Sequence, residues 1–179
     1  VGIDGLTLTG GNATGSGFFL GGGAILTRED LTVSNSTISG NTAGSGSSTR
    51  GGGIYSRYGT TTVSNSTVSG NTAGKHGGGI YILLGTTTVS NSTISGNTAS
   101  SKGGGMYNYS GTTTVSNSTI SGNTASSKGG GMYNRYSTTT VSNSTISGNT
   151  ASSRGGGGIY SNRGTTTVSN SIVAGNTLT

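Results

Sequence analysis

The sequence contains no cysteine, no proline and no tryptophan, and charged residues make up only 7% of it. Without cysteine the chain has neither disulfides nor thiolate metal ligands. The only acidic residues are Asp4, Glu29 and Asp30, and the only histidine is His76. Glycosidase and carboxylate metal sites need clustered acids, so we expect no enzyme activity, no metal and no cofactor. No apolar run approaches the length that spans a bilayer, so we expect no membrane insertion.

Apolar residues are also scarce, at 27% of the chain, well below the share in an ordinary globular domain. Such a composition by itself indicates disorder, because too little apolar surface is available to offset the entropy of ordering. Disordered chains are usually rich in charge and proline, however, whereas glycine (38 residues), serine, threonine and asparagine supply the polarity of this chain. A neutral and periodic composition favours a fibrous or solenoid fold.

The fifteen-residue phrase TTTVSNSTISGNTAS occurs three times, beginning at Thr86, Thr112 and Thr138, and close copies surround it. Repeats of this length are typical of solenoids. Alignment of the copies gives three aliphatic columns. The first is Val33, Val63, Val89, Val115, Val141 and Val168, at intervals of 30, 26, 26, 26 and 27 residues. The second is Ile38, Val68, Ile94, Ile120, Ile146 and Val173. The third is Ile25, Ile54, Ile80, Met106, Met132 and Ile159.

Each repeat thus carries three short apolar segments separated by Gly, Ser and Asn, and no segment has a helical period. We therefore predict an all-β parallel β-helix of about seven coils with three short strands per coil, in which like residues stack about 4.8 Å apart. Ile3 and Leu8 extend the first two columns backwards. The chain is then a single domain with a degenerate first coil at 1–30 and regular repeats at 31–179, and we expect it to be a fragment of a longer protein.

Units such as GGGIYSRYGTTTVSNSTVSGN, residues 51–71, resemble the right-handed parallel β-helix repeats of bacterial secreted and surface proteins. They are similar to the repeats of polymorphic outer-membrane proteins, which are marked by GGA[ILV] and FxxN. The segment GGAI at 22–25 matches the first motif, and ISGN at 94–97 matches the second with isoleucine in place of phenylalanine. The resemblance implies a right-handed coil and a secreted or cell-surface location.

Two asparagine columns accompany the aliphatic ones. Asparagine tolerates the left-handed conformation of a tight corner, and stacked amides can form a hydrogen-bonded ladder. We expect these structural roles in preference to glycosylation, since glycans would collide at every coil. The first column is Asn35, Asn65, Asn91, Asn117, Asn143 and Asn170, and the second is Asn41, Asn71, Asn97, Asn123, Asn149 and Asn176.

A row of threonines is aligned with Leu31, which indicates that this position points inward and that its two neighbours point outward. The resulting T-x-T array resembles the paired threonines of hyperactive antifreeze solenoids, which implies ice binding. It is equally typical of an ordinary exposed strand, because threonine suits that environment. The array is Thr60, Thr62, Thr86, Thr88, Thr112, Thr114, Thr138, Thr140, Thr165 and Thr167.

A basic column and a tyrosine column complete the repeat. The basic residues could bind anionic glycans or cell-envelope polymers, or could only discourage lateral sheet association. The tyrosines follow the third aliphatic column, so we expect them to face outward, as a platform for sugars or as a stack that stiffens the rod. The basic column is Arg50, Lys75, Lys102, Lys128 and Arg154, and the tyrosine column is Tyr55, Tyr81, Tyr107, Tyr133 and Tyr160.

These patterns favour a mechanical function: a rigid secreted or cell-surface segment that acts as a stalk, an adhesin passenger or a filament unit. Its partners would be the remainder of the parent chain or further copies stacked end to end. Ice binding by the threonine array and anionic-polysaccharide binding by the basic and tyrosine columns are the alternatives. We expect no nucleic-acid partner, because the net charge of +6 lies mostly in one exposed column without a recognition motif.

Overall fold

The computed structural model describes residues 1–14, 21–44, 48–153 and 155–179, and within these residues the regular secondary structure is entirely β-strand. The strands form four parallel sheets, three of seven strands and one of six. Successive strands of the chain belong to successive sheets, so that each turn visits all four sheets and returns to the first one strand further along. The predicted parallel β-helix is therefore confirmed.

The bounds of the strands are as follows. Sheet 1 contains Gly2–Asp4, Leu31–Ser34, Thr60–Ser64, Thr86–Ser90, Thr112–Ser116, Thr138–Ser142 and Thr165–Ser169. Sheet 2 contains Thr7–Thr9, Thr37–Ser39, Thr67–Ser69, Thr93–Ser95, Thr119–Ser121, Thr145–Ser147 and Ile172–Ala174. Sheet 3 contains Asn12–Ala13, Thr42–Ala43, Thr72–Ala73, Thr98–Ala99, Thr124–Ala125, Thr150–Ala151 and Thr177–Leu178. Sheet 4 contains Ile25–Thr27, Ile54–Arg57, Ile80–Leu83, Met106–Tyr109, Met132–Arg135 and Ile159–Asn162.

Each full turn has four strands and not the three that we predicted. The missed strand belongs to sheet 3 and is only two residues long, as in Thr98–Ala99. Its inward residue is an alanine, which is fully buried. A single small apolar residue gives neither an alternating pattern nor a bulky column, so periodicity alone does not detect such a strand. The described residues form six complete turns and three strands of a seventh.

Equivalent residues of successive turns pair directly. Val63 pairs with Val89, and Val89 pairs with Val115. The predicted valine column is confirmed over its whole length, including its extension to Ile3 and its end at Val168. The three aliphatic columns meet in one continuous core along the axis of the helix. Burial of each such side chain contributes about 1.5–3 kcal/mol, and the backbone bonds of every strand to both neighbours complete the stabilisation.

Candidate binding surfaces

The threonine array lies on the outer face of sheet 1. Thr113 is buried and points into the core, whereas Thr112 is exposed and Thr114 is half-buried. Equivalent threonines are paired in register from Thr60 to Thr165. The rows therefore repeat about every 4.8 Å from turn to turn and about 6.6 Å along each strand.

The array is larger than the sequence analysis indicated. Thr32 pairs with Thr62 and therefore extends by one turn the outward row that contains Thr62 and Thr114. A half-buried serine at the next outward position, such as Ser116, adds a third row. One turn before Thr60, Asp30 takes the equivalent place in the row that contains Thr60 and Thr112. Its Oδ1 accepts a hydrogen bond from the backbone N–H of Thr60 at 2.6 Å. The uncharged part of the surface therefore begins at Thr60.

The basic column has a register different from the predicted one. Isolated bridges place His76, and not Lys75, in this column. Alignment on the glycine run finds the correct register, because His76 and Lys102 each directly precede three glycines. Arg154 lies outside the described residues. The described bridges join Arg50, His76, Lys102 and Lys128.

Four of the five tyrosines of the column are buried and Tyr160 is half-buried, so the expectation of an exposed platform is wrong. Tyr55, Tyr81, Tyr107 and Tyr133 are at most 4% exposed. Their rings lie on the outer face of sheet 4, but the connection that carries the basic column covers them. The Lys102 Nζ, for example, lies 5.2 Å from the centre of the Tyr133 ring. Alternation along a strand predicts the face of a side chain, but it does not predict that a connection returns over that face.

The covered tyrosines form a second core. Successive rings from Tyr81 to Tyr160 stack at 5.0, 4.8 and 5.4 Å between centres, and the His76 ring stacks on Tyr107 at 4.7 Å. Burial raises the pKa of Tyr107 to about 12. Burial, assisted by the charge of Lys75, lowers the pKa of His76 to about 3. Tyr107 and His76 are therefore uncharged at neutral pH. The rings stack on one another as the second of our two interpretations expected, and the stiffening of the rod stays a prediction.

The second asparagine column forms the predicted ladder. The Nδ2 of Asn97 donates to the Oδ1 of Asn123 at 2.9 Å and to the carbonyl of Val68 at 3.0 Å. The Oδ1 of Asn97 accepts from both the backbone N–H and the Nδ2 of Asn71, at 2.9 and 3.0 Å. Each buried amide thus satisfies backbone groups at the corner between sheets 2 and 3, where strand pairing is interrupted.

The first asparagine column turns the corner between sheets 1 and 2 and is exposed. Asn91 has a φ of 48°, in the left-handed region. Within the described residues the amide contacts of this column are those from Asn170 to Asn143 and from Asn35 to Asp4. The column is therefore a series of left-handed corners and not the continuous ladder that we predicted.

A buried serine ladder runs beside these corners, and the sequence analysis missed it. The Oγ of Ser92 accepts the backbone N–H of Ser66 at 3.1 Å and donates to the carbonyl of Ser90 at 2.7 Å. Ser118 accepts the N–H of Ser92 in the same way. Residue type alone does not distinguish this serine from its outward-facing neighbours. Its position directly after a left-handed residue, which matches that of Asn97 after Gly96, is the signal that could have found it.

The corner between sheets 4 and 1 is also left-handed, but it uses bulky residues. The φ angles are 66° at Tyr58, 60° at Leu84 and 53° at Tyr136. These side chains are exposed by 42%, 48% and 38% respectively. We call the five residues at this position the corner ridge: Tyr58, Leu84, Ser110, Tyr136 and Arg163. The ridge was not predicted, because glycine and asparagine are the residues expected in this conformation.

The acidic residues lie in the first turns. Asp4 accepts hydrogen bonds from the Oγ of Ser34 at 2.7 Å and the Nδ2 of Asn35 at 2.8 Å, which lower the pKa of its carboxyl. In the part of the chain that the structure describes, no three His, Asp or Glu side chains are grouped so that they could hold a metal ion. The same residues include no helical segment with the length and apolarity to cross a membrane.

Comparison with known proteins agrees with this architecture. Residues 16–178 match a protein-family model described as a right-handed β-helix region. The match covers most of the chain and supports the right-handed winding that the sequence predicted. No match was found among curated proteins or solved structures.

Proposed function

We propose that this chain, which belongs to the right-handed β-helix family, is a rigid structural segment of a secreted or cell-surface protein, such as a stalk, an adhesin passenger or a filament unit. The family includes structural, binding and catalytic domains, so the role has to be argued from this chain. The observation that carries it is the in-register pairing of equivalent residues along all four sheets. The extracellular setting is supported by the resemblance of the GGAI and ISGN motifs to surface-protein repeats.

Rigidity follows from how the turns are joined. Every strand of a middle turn is hydrogen-bonded on both sides, and the serine and asparagine ladders join the same turns at two corners. A turn can therefore leave the helix only if the bonds of its four strands break together. Seven strands about 4.8 Å apart give a rod about 29 Å long.

Single-molecule pulling from the two ends of the chain tests this role. A turn of 26 residues extends to about 90 Å of chain. We expect discrete unfolding steps of about that length, because each turn is held by the same set of bonds. A gradual extension at low force without steps would contradict the proposed role.

Stacking of copies end to end is part of the same proposal. In the last described turn, Val168 and Val173 are exposed, although their counterparts Val141 and Ile146 in the turn before are fully buried. A further turn, from the parent chain or from a second copy, would cover them and pair with the strands that carry them. Sedimentation of the isolated chain should show association that rises with concentration and decreases in Val173→Lys. A monomer at all concentrations would contradict stacking of copies.

Ice binding is the second candidate, and the specific observation that favours it is the in-register threonine array on sheet 1. A regular, uncharged grid of hydroxyl and methyl groups can hold water in an ordered arrangement. The test is thermal hysteresis of the chain and of Thr112→Tyr, which places a bulky ring in the array.

The matched control is Thr119→Tyr, the same change on the outer face of sheet 2, where Thr119 is half-buried. Ice binding predicts hysteresis in the chain and in Thr119→Tyr but not in Thr112→Tyr. The absence of hysteresis in the unaltered chain would exclude this candidate and leave the structural role intact.

A further inference from the structure

The corner ridge is built from residues that the fold does not need there. All four corners of a middle turn contain a left-handed residue, and three of them use tolerant residues, such as Asn91, Gly96 and Gly103. The fourth uses Tyr58, Leu84 and Tyr136 instead. For such residues the conformation costs about 1–2 kcal/mol each, and strain of this kind is often kept for function. The reason for these side chains therefore lies in what they display.

The ridge is also a part of the repeat that changes from turn to turn. Each ridge residue and the strand residue before it form a pair. The pairs are RY at 57–58, LL at 83–84, YS at 109–110, RY at 135–136 and NR at 162–163. The segment TTTVSNST that follows recurs almost unchanged. Equivalent residues of successive turns stack on one another, which explains why TTTVSNST is constant. The ridge residues differ from turn to turn, so this stacking does not explain them.

Towards the last turns two ridge residues, Tyr136 and Arg163, form an arginine–tyrosine cluster with Tyr109 and Arg135 at the neighbouring strand ends. The Arg135 guanidinium lies 5.1 Å from the centre of the Tyr136 ring and 5.5 Å from that of Tyr109. The Nη1 of Arg163 donates to the Tyr136 hydroxyl at 2.9 Å. The two tyrosine rings meet edge to face at 6.0 Å. The rings thus hold both guanidinium groups in place, and a guanidinium fork matches a carboxylate.

The positive charge of this cluster has no acidic counterpart nearby. The acidic residues of the chain are Asp4, Glu29 and Asp30, all in its first thirty residues. At least three strand spacings, about 14 Å, separate them from Arg135, which is beyond the Debye length of about 8 Å at physiological salt. A second copy of this chain would bring only the same three acids, so a partner with a high density of negative charge fits this cluster better.

We propose that the arginine–tyrosine cluster and the adjoining corner ridge bind an acidic polysaccharide. Its carboxylates would pair with Arg135 and Arg163, and its sugar rings would pack on the exposed tyrosines, whose faces are apolar and whose hydroxyls are polar. Single-stranded nucleic acid, whose bases also stack on aromatic side chains, is the competing partner, and the test below separates the two. This surface adjoins the buried tyrosine column, because Arg135 also hydrogen-bonds the Tyr107 side chain, but the proposal does not depend on the proposed structural role.

The probes are polygalacturonate as a uronate polymer, dextran as a neutral polysaccharide and oligothymidylate as a single-stranded nucleic acid. The test variant is Arg135→Asn combined with Tyr136→Ser. Both changes copy the chain itself, because Asn162 pairs with Arg135 and Ser110 is the corner residue one turn earlier. We expect affinity for polygalacturonate to fall about tenfold or more, the effect of losing one charge-assisted pair, and dextran not to bind.

The matched control is Lys75→Ser, which copies Ser101 and removes one positive charge away from the ridge. We expect it to leave the affinity within about threefold, since distant charges are screened. Circular dichroism checks that each variant keeps its β-sheet signal, and if the double variant loses it, Arg163→Ser replaces it in the same assay. Absence of polygalacturonate binding, an equal loss in Lys75→Ser, or tighter binding of oligothymidylate would each overturn the proposal.

Discussion

The asparagine ladder predicts a large difference between two asparagines of the same turn. In Asn97→Ala the side chain loses four hydrogen bonds: two accepted from Asn71 and one each donated to Val68 and Asn123. The backbone N–H of Asn71 is then buried without its acceptor. Each lost bond costs about 1 kcal/mol, and a buried donor left unpaired costs about 1–3 kcal/mol. The four lost bonds and the unpaired donor together predict a loss of about 5–7 kcal/mol in the free energy of unfolding.

The matched control is Asn91→Ala, six residues earlier. Asn91 is exposed and has a φ of 48°. Its replacement should lower the free energy of unfolding by only about 1 kcal/mol, because alanine is less favourable than asparagine in the left-handed conformation. Guanidinium unfolding followed by circular dichroism compares the two variants. Hydrogen exchange of the Asn71 amide provides a local readout, which should accelerate in Asn97→Ala alone. Equal midpoints for the two variants, or an unchanged Asn71 amide, would refute the assignment of stability to the ladder.

Three further predictions follow from packing and charge. In Gly104→Ala the new methyl group would overlap the carbonyl oxygens of Gly130 and Thr124, and we expect the free energy of unfolding to fall by about 3 kcal/mol. In the control Gly122→Ala the nearest neighbour of the new methyl group is 3.9 Å away, and the fall should be about 1 kcal/mol. Thermal melting of both variants measures the difference. Tyr107→Ala removes a ring stacked on both sides and should cost about 3–5 kcal/mol by urea unfolding, whereas Tyr58→Ala at the surface should cost less than about 1 kcal/mol. His76 has a pKa of about 3 when folded and 6.5 as its ordinary value, so the unfolded chain binds more protons between those pH values and stability should fall as the pH is lowered through this window. His76→Lys, which copies Lys102 of the paired position, should lack this dependence, and parallel melting profiles from pH 7 to about 3 would contradict the role of His76.

The sequence predicted those parts of the fold in which like residues stack. The valine column was found because Val89 pairs with a valine on each side, and repetition reports such equivalence directly. The inward threonines, such as Thr87, were assigned from Leu31 at the equivalent place and are buried. Because side chains alternate between the two faces of a strand, one residue known to point inward assigns the face of every other residue in its column.

The candidate surfaces were less predictable, because they depend on how connections return over the sheets. Tyr107 leaves the outer face of sheet 4 as expected, yet the connection before it covers the ring. His76 was missed in the basic column because charge, and not distance from the glycine run, guided the alignment. The corner ridge was missed because Tyr136 adopts a φ of 53°, which its residue type does not suggest.

The hydrogen bonds of the asparagine ladder all point the same way. From Asn41 to Asn149, each backbone N–H and each Nδ2 donates to the Oδ1 of the asparagine in the following turn. The rod is therefore directional. The hydrogen-bond donors of the ladder point towards its last turn, and the acceptors point towards its first turn. An added turn must match that orientation whichever molecule supplies it, so head-to-tail growth is complementary, whereas a head-to-head pair would set donor against donor or acceptor against acceptor.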